Sequence, residues 1–272
     1  MPLTCEIIDL HCHILPGLDD GPADMTQSLD MVRMAVQDGI SKIVCTPHYI
    51  PGLYRPHQKS IRAACQELTR EIQKLELPVS VFPGAEIHID AVSTEEFSAD
   101  GLMTINDAGL YALLELPYQI LPQHIEDMFW KLISQDITPL LAHVERYPYL
   151  IHDPLPVNDW LQMGVGLQVT ASSIFGRFGP EVMDFSRTLL EQNMVHVLST
   201  DGHGTTSRRP IMYRVGEWVK EHYGQRVAVD LLCRRAAGIL NGDDLEMLDC
   251  IPFQAKKSWA QKVLGRLGGK KV

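Results

Sequence analysis

His11 and His13 stand two apart at the end of a short apolar run, Ile7-Ile8-Asp9-Leu10, and an acidic loop bounded by glycine, Leu18-Asp19-Asp20-Gly21, follows closely. On a strand, residues i and i+2 face the same way. The two imidazoles would therefore project together from one strand end. Such a pair suits a metal ion. Taken alone it is equally consistent with two unrelated histidines in a turn, so the rest of the chain must decide.

Other chemistry-bearing residues fall in similar places. Apolar runs end at Cys45-Thr46-Pro47-His48, at Pro83-Gly84-Ala85-Glu86, at Leu141-Ala142-His143-Val144-Glu145-Arg146-Tyr147, at Gln168-Val169-Thr170-Ala171 and at Ser199-Thr200-Asp201-Gly202-His203. A further run carries a carboxylate inside it, Leu113-Leu114-Glu115-Leu116-Pro117. Each has a bland reading. Asp19 could cap the next helix together with Asp20 and Asp24, Glu86 could start a helix, and His48 or Asp201-Gly202-His203 could sit in plain turns. Glu115 is harder to dismiss, because a carboxylate within an apolar strand needs a cation or another partner. Histidine mixed with Asp and Glu, with no thiolate required, favours Mn, Fe or Zn in a catalytic site over a sulfur-rich structural zinc site. The donors outnumber what one ion can use, so several ions bridged by a carboxylate follow.

The elements that must position these residues alternate. Strands are expected at 6–10, 42–46, 79–82, 111–115, 138–142, 166–170 and 195–199. Helical patterns lie at 28–37, 61–75, 124–134 and 181–192. This rhythm argues for parallel strands with crossover helices. About seven units without a break in composition point to an α/β fold, a TIM-like barrel one strand short, with an open doubly wound sheet as the alternative. In a parallel barrel the C-terminal strand ends share one face, where active sites lie. Side chains distant in sequence would then converge.

The 272 residues, 45% of them hydrophobic, suffice for one large domain. A formal charge of −10 argues against general nucleic-acid binding. Without a membrane-length apolar run or a signal-peptide pattern, the expected compartment is the cytoplasm. Six cysteines, with no Cys-x-x-Cys pair, are expected to be reduced and mostly small core residues. None has an arginine six positions later, which counts against the thiolate loop of cysteine-based phosphatases. Residues 1–250 are expected to form the barrel. Residues 251–272 form a basic amphipathic tail with Lys256, Lys257, Lys262, Arg266, Lys270 and Lys271, either a solvated helix or a contact with an acidic membrane surface.

The residues quoted above, above all Asp9-Leu10-His11-Cys12-His13 joined to Pro16-Gly17-Leu18-Asp19-Asp20-Gly21, resemble the PHP (polymerase and histidinol phosphatase) superfamily. Within it the chain is similar to the bacterial metal-dependent protein-tyrosine phosphatases of capsular and exopolysaccharide operons, from Ile8 to about Pro210. The resemblance implies a distorted (β/α)7 barrel of the PHP fold and three divalent ions, Mn by preference, with Fe or Zn as alternatives. It implies His11, His13, Glu86 and Asp201 around the first ion. Glu86 bridges to a second that Glu115 and His143 complete, and Asp19, His48 and His203 hold the third. Arg146 and Arg208 match arginines used near the phosphate; their bland reading is surface ion pairing. Val144, Gly202 and Tyr49 depart from the family pattern without removing a ligand.

The implied chemistry is hydrolysis of phosphotyrosine by a hydroxide bridging two ions, with no cysteinyl-phosphate intermediate. The implied substrate is a membrane-associated tyrosine autokinase that controls polysaccharide export. Competing readings are a small-molecule phosphomonoesterase of histidinol-phosphatase type, a non-catalytic metal-binding scaffold, and an amidohydrolase, whose lysine ligand the chain lacks. The oligomeric state is left open.

Overall fold

A computed structural model of the chain describes residues 5–89 and 103–255. Among these residues nine strands run β1 (Ile7–Cys12), β2 (Ile40–Cys45), β3 (His48–Tyr49), β4 (Ser80–Pro83), β5 (Glu86–His88), β6 (Tyr111–Glu115), β7 (Thr138–Leu141), β8 (Gly166–Thr170) and β9 (Val197–Ser199). They form two parallel sheets, β1-β2-β4 and β3-β5-β6-β7-β8-β9. An isolated parallel bridge, Cys12 to Gly202, joins the first sheet to the end of the second. Backbone bonds from Asp201 N to His11 O and from His13 N to Gly202 O, both 2.8 Å, run beside it. The whole is a curled parallel sheet consistent with a distorted barrel.

Most of the strands are buried on both faces, as parallel strands flanked by helices must be, whereas β4, at the edge of its sheet, is only partly buried. β1 and β8 are buried throughout. Seven of the nine correspond to the expected runs, with ends shifted by a residue or two. The other two, β3 and β5, are short continuations after Thr46-Pro47 and Gly84-Ala85. Gly84 is needed at its break: a Cβ there would lie 2.7 Å from Val44 Cγ1.

Helices α1 (Met25–Gln37), α2 (Gln58–Lys74), α3 (Ile125–Ile133) and α6 (Pro180–Glu191) correspond to the expected patterns. Asp24 caps α1, accepting from Gln27 N at 2.9 Å. In α2, Ile61, Cys65, Leu68 and Ile72 repeat at helical spacing and are buried. Each large apolar side chain there contributes about 1.5–3 kcal/mol. Five further helices are not announced by the sequence pattern: α4 (Pro148–His152), α5 (Leu155–Gln162), α7 (Tyr213–Tyr223), α8 (Gln225–Val229) and α9 (Arg235–Asn241), with a π-turn at Asp230–Arg234 before α9. Four have eight residues or fewer, too brief for a periodicity to register, and α7 presents a largely polar face.

After α9 an extended strap crosses the N-terminal ends of the strands. It is tied by Tyr111 Oη to Asp243 O (2.5 Å), Ile251 N to Gln192 O (2.9 Å) and Phe253 N to Asn158 Oδ1 (2.9 Å). The strap thus continues past residue 250. The basic tail from Lys256 onward lies outside the described residues.

The cysteines require one correction. Cys5 and Cys233 are joined by a disulfide across 228 positions of sequence, with Cα atoms 6.2 Å apart. The fold brings the residue before β1 against the π-turn, a proximity that no spacing rule reveals. Cys12, Cys45 and Cys65 are free and buried, as expected for small core residues, and Cys250 is free and half-buried.

Candidate metal centre

Every sequence-predicted site residue lies at the C-terminal side of the parallel sheet. His11 and His13 leave the end of β1. His48 opens β3 and Glu86 opens β5, in register with each other. Glu115 ends β6, His143 follows β7, and Asp201 and His203 follow β9. His143 and Asp201 take left-handed backbone conformations, with φ of 35° and 51°. Such conformations are uncommon outside glycine and mark positions where the surroundings dictate direction. Here they turn the two side chains off their strands and into the cluster.

The donors crowd together. His11 Nε2 lies 3.3 Å from Glu86 Oε2 and 3.4 Å from Asp201 Oδ1. His13 Nε2 lies 3.1 Å from Glu86 Oε2. His48 Nδ1 is 3.0 Å from the same oxygen, and His143 Nε2 is 2.7 Å from Glu86 Oε1 and 3.6 Å from Glu115 Oε1. Glu86 therefore sits at the centre, fully buried and touched by four imidazoles. Three groups have geometry able to hold an ion: His11, His13 and Asp201; His48, Glu86 and Glu115; and His13, Asp20, His48 and His203.

Asp19 and Asp20 divide the work differently from the sequence expectation. The Asp19 carboxylate accepts from His13 Nδ1 (2.6 Å), His48 N (2.9 Å) and Gly21 N (2.9 Å), so its oxygens are engaged away from the cluster. Asp20, half-exposed, points Oδ1 to within 3.3 Å of His203 Nε2 and 3.7 Å of His48 Nε2. Gly21 makes the tight loop possible, since a Cβ there would lie 2.5 Å from His13 O.

The imidazoles are also aimed from behind. Gln168 Oε1 lies 3.1 Å from His11 Nδ1 and accepts from His143 N at 2.8 Å. Asp19 holds His13 Nδ1, and the Asp201 carbonyl lies 3.0 Å from His203 Nδ1. Each arrangement leaves Nε2 directed at the cluster, the orientation that metal-binding histidines receive from their outer partners. Asp9, buried, accepts from Thr200 N (3.0 Å) and Thr200 Oγ1 (2.5 Å), locking the β9 loop to β1. Gln168 and Asp20 were the residues that chemical typing passed over. A glutamine in a fully buried strand was the available signal for the first; for the second, adjacent to Asp19, there was none.

Without ions, the carboxylates of the cluster are balanced by arginines and by protons held on the imidazoles. Asp20, Glu86, Glu115 and Asp201 bring four carboxylates together against two guanidiniums. Burial opposes charging of His11 and His48, yet Glu86, with Asp201 for His11 and Glu115 for His48, raises their pKa values to about 9 and about 10. Burial raises Glu115 to about 7, helped by the neighbouring Glu86. Burial likewise opposes ionisation of Glu86, but His11, His48 and His143 outweigh it and hold the carboxyl well below its usual range. His143 moves the other way, to about 3, through burial and the nearby Arg146. Glu86 Oε2, Asp201 Oδ1 and His203 Nε2 are buried and make no hydrogen bond of good geometry among the described residues. Orphaned donors of this type, in this number and around a central carboxylate, fit divalent transition-metal ions.

Arg146 and Arg208 both reach Asp201 Oδ2, at 2.8 and 2.5 Å. Arg146 also stacks on Phe178, 4.7 Å from its ring centre. Its turn is fixed by buried Glu145, which accepts from Thr170 N (3.0 Å) and Ser173 Oγ (2.6 Å). The two arginines line the mouth of the cluster, a cavity of about 340 Å³ walled also by Tyr118, Tyr147 and Phe178.

Comparison with known proteins gives the family of the chain. The family model for capsular polysaccharide synthesis proteins CpsB/CapC matches residues 7–241. The tyrosine-protein phosphatase YwqE of Bacillus subtilis is 34% identical over 202 residues, which cover 74% of this chain and 79% of that protein. The tyrosine-protein phosphatase CpsB of Streptococcus pneumoniae is 26% identical over 230 residues, 83% of this chain and 94% of that one. A crystal structure from work on YwqE and CpsB, described as unique metal-dependent tyrosine phosphatases, superposes with a TM-score of 0.86 at 30% identity, covering 92% of this chain and 100% of that chain. An organophosphorus hydrolase variant from Deinococcus radiodurans, at 13% identity and a TM-score of 0.56 over 88% of this chain and 94% of its own, shares the fold alone.

Proposed function

The chain belongs to the CpsB/CapC family of capsular polysaccharide synthesis proteins, and from that premise we propose that it is a metal-dependent tyrosine-protein phosphatase. One observation carries the reading. A cavity walled by Tyr118, Tyr147 and Phe178 opens onto two arginines and, beneath them, a cluster of histidines and carboxylates. That combination suits a phosphoryl group carried on an aromatic ring.

His11, His13, Asp201 and Glu86 would hold one ion, with Glu86 bridging to a second that His48, Glu115 and His143 complete. Asp20, His48 and His203 would hold the third. Asp20 takes the position that the sequence reading gave to Asp19, and Asp19 serves His13 instead. The number of ions, and manganese as the metal, follow from the family resemblance and the donor chemistry. Bound divalent ions offset the charge of a phosphoryl group and activate water at neutral pH.

The chain's own residues do the rest. Arg146 and Arg208 present planar guanidiniums that can take phosphoryl oxygens in paired hydrogen bonds. Phe178 fixes Arg146 by stacking, and Asp201 holds both arginines on one wall. Tyr118 and Phe178 flank the place where a phenyl ring would enter. Gln168 and Asp19 hold Nδ1 of His11 and His13 from behind, which turns Nε2 of each toward the cluster.

Two further elements belong to the same proposal. The scaffold is a (β/α)7 barrel if β2 with β3, and β4 with β5, each count as one interrupted strand. Residues 1–250 would be its barrel and 251–272 its basic tail. The substrate would be a membrane-associated bacterial tyrosine kinase met in the cytoplasm, with the tail available to an acidic membrane surface. Among the described residues no helix is long and apolar enough to cross a membrane.

Hydrolysis of a phosphotyrosine peptide measured beside histidinol phosphate tests the function. We expect turnover of the peptide to dominate. Turnover of histidinol phosphate alone would move the chain to the small-molecule phosphomonoesterases.

A further inference from the structure

A second cavity, of about 280 Å³, shares a wall with the mouth of the metal cluster. The wall consists of residues 175–178 and 206–209. At Arg177–Phe178 and at Ser207–Arg209, neighbouring side chains line different cavities. Phe178 and Arg208 line the mouth of the cluster. Their chain neighbours Arg177, Ser207 and Arg209 line the second cavity. Arg214, from the first turn of α7, completes it, its guanidinium 4.0 Å from the centre of the Phe175 ring.

Arg177, Arg209 and Arg214 are all exposed. Among the described residues no carboxylate forms an ion pair with any of them, whereas Arg62, Arg146, Arg208 and Arg234 each have one. Asp38 is the acid that senses Arg209, and its carboxylate is committed to the backbone N–H groups of Met212 and Tyr213. Three unpaired guanidiniums in one cavity are unexpected in a chain with a net charge of −10. Guanidinium forks match the geometry of carboxylates and phosphates, and the hydroxyls of Ser172 and Ser207, in the same lining, add donors.

We propose that this cavity is a subsite for a second anionic side chain of the polypeptide substrate, a carboxylate or a phosphate lying near the phosphotyrosine in sequence. The proposal rests on the tyrosine-phosphatase reading. The wall between the cavities makes the ligand a polypeptide: a small phosphate monoester fills one cavity, while an extended chain can straddle the wall and fill both.

The test compares three synthetic peptides on the metal-loaded full chain. One has phosphotyrosine among neutral residues. The second has glutamate placed at each flanking position in turn, and the third has a second phosphotyrosine there. We expect kcat/KM for the best glutamate or doubly phosphorylated peptide to exceed that of the neutral peptide by about tenfold, mainly through KM. That ratio should fall to near one in the double variant Arg177→Gln, Arg214→Gln and be largely retained in Arg177→Lys, Arg214→Lys. A preference for the glutamate peptide identifies a carboxylate site. A preference for the second phosphotyrosine alone identifies a phosphate site. Equal kcat/KM for all peptides with the wild-type chain, or a double variant that loses activity equally on neutral and anionic peptides, would overturn the subsite and leave the phosphatase reading intact. Inertness toward all three, with turnover of p-nitrophenyl phosphate preserved, would overturn both.

Discussion

Three of the five imidazoles of the cluster are held from behind, each by a different group: His11 by Gln168, His13 by Asp19 and His203 by the carbonyl of Asp201. Two neighbouring aspartates therefore have separable tasks. Replacing Asp20 with Asn should lower the number of ions retained after dialysis, because it removes a donor. Replacing Asp19 with Asn should keep that number and weaken affinity about 10- to 100-fold, the usual cost of losing an outer partner. Elemental analysis together with metal titration distinguishes the two; the reverse pattern would return Asp19 to the ligand set. Arg146→Lys should retain its metal and lose about 10- to 100-fold in kcat/KM, since a point charge cannot replace a stacked planar fork. Metal loss in that variant would make the arginine a structural partner of Asp201 instead. The residue types at the strand ends were legible because histidines and acids at the end of apolar runs have few other uses. The division between Asp19 and Asp20 was not, because adjacent acids in one loop differ only in where the turn aims them.

At the level of elements, strands were legible as continuous apolar runs, and the longer helices as repeats such as Ile61, Cys65, Leu68 and Ile72. The interruptions at Thr46-Pro47 and Gly84-Ala85 were not read as breaks that start new short strands, yet they place His48 and Glu86 side by side. The short helices after β7 escaped because they are too brief to show a period, and the disulfide between Cys5 and Cys233 because it joins positions distant in sequence. The strap over the strand N-termini carries a pH dependence of its own. His196 accepts from Leu167 N at Nδ1 (3.1 Å), and its Nε2 lies 3.2 Å from the Glu246 carbonyl, so the neutral ring is satisfied. Burial and Arg235 push its pKa from 6.5 down to about 4. The unfolded chain then takes up the proton first as pH falls. Stability is intact above about 6.5 and is eroded between about 6.5 and about 4, by on the order of 3 kcal/mol in total. Urea midpoints of the chelated protein at pH 7 and pH 4.5 should show this loss, and His196→Gln should reduce it. An unchanged loss in that variant would remove His196 as its source.

Across the whole molecule, the strands of two sheets and the bridge from Cys12 to Gly202 gather the metal-binding donors at one end of the sheet. Metal removal should therefore cost stability as well as activity. With ions present at about 1,000 times their dissociation constant, chelation should remove about 4 kcal/mol and lower the Tm by on the order of 10 °C. A Tm unmoved by exhaustive chelation would mean that the folded chain gains no stability from bound ions. By contrast, serine at any one of Cys12, Cys45, Cys65 or Cys250 should leave phosphatase activity largely intact. A cysteine variant that keeps its fold and metal yet loses activity would point to thiolate chemistry. The central claim, that phosphotyrosine hydrolysis depends on ions held by this cluster, is tested most directly by titrating manganese into fully chelated protein while following turnover of a phosphotyrosine peptide. We expect no turnover before addition and recovery that rises in step with the ions bound. Full turnover by the chelated chain, with no bound metal detected, would contradict it.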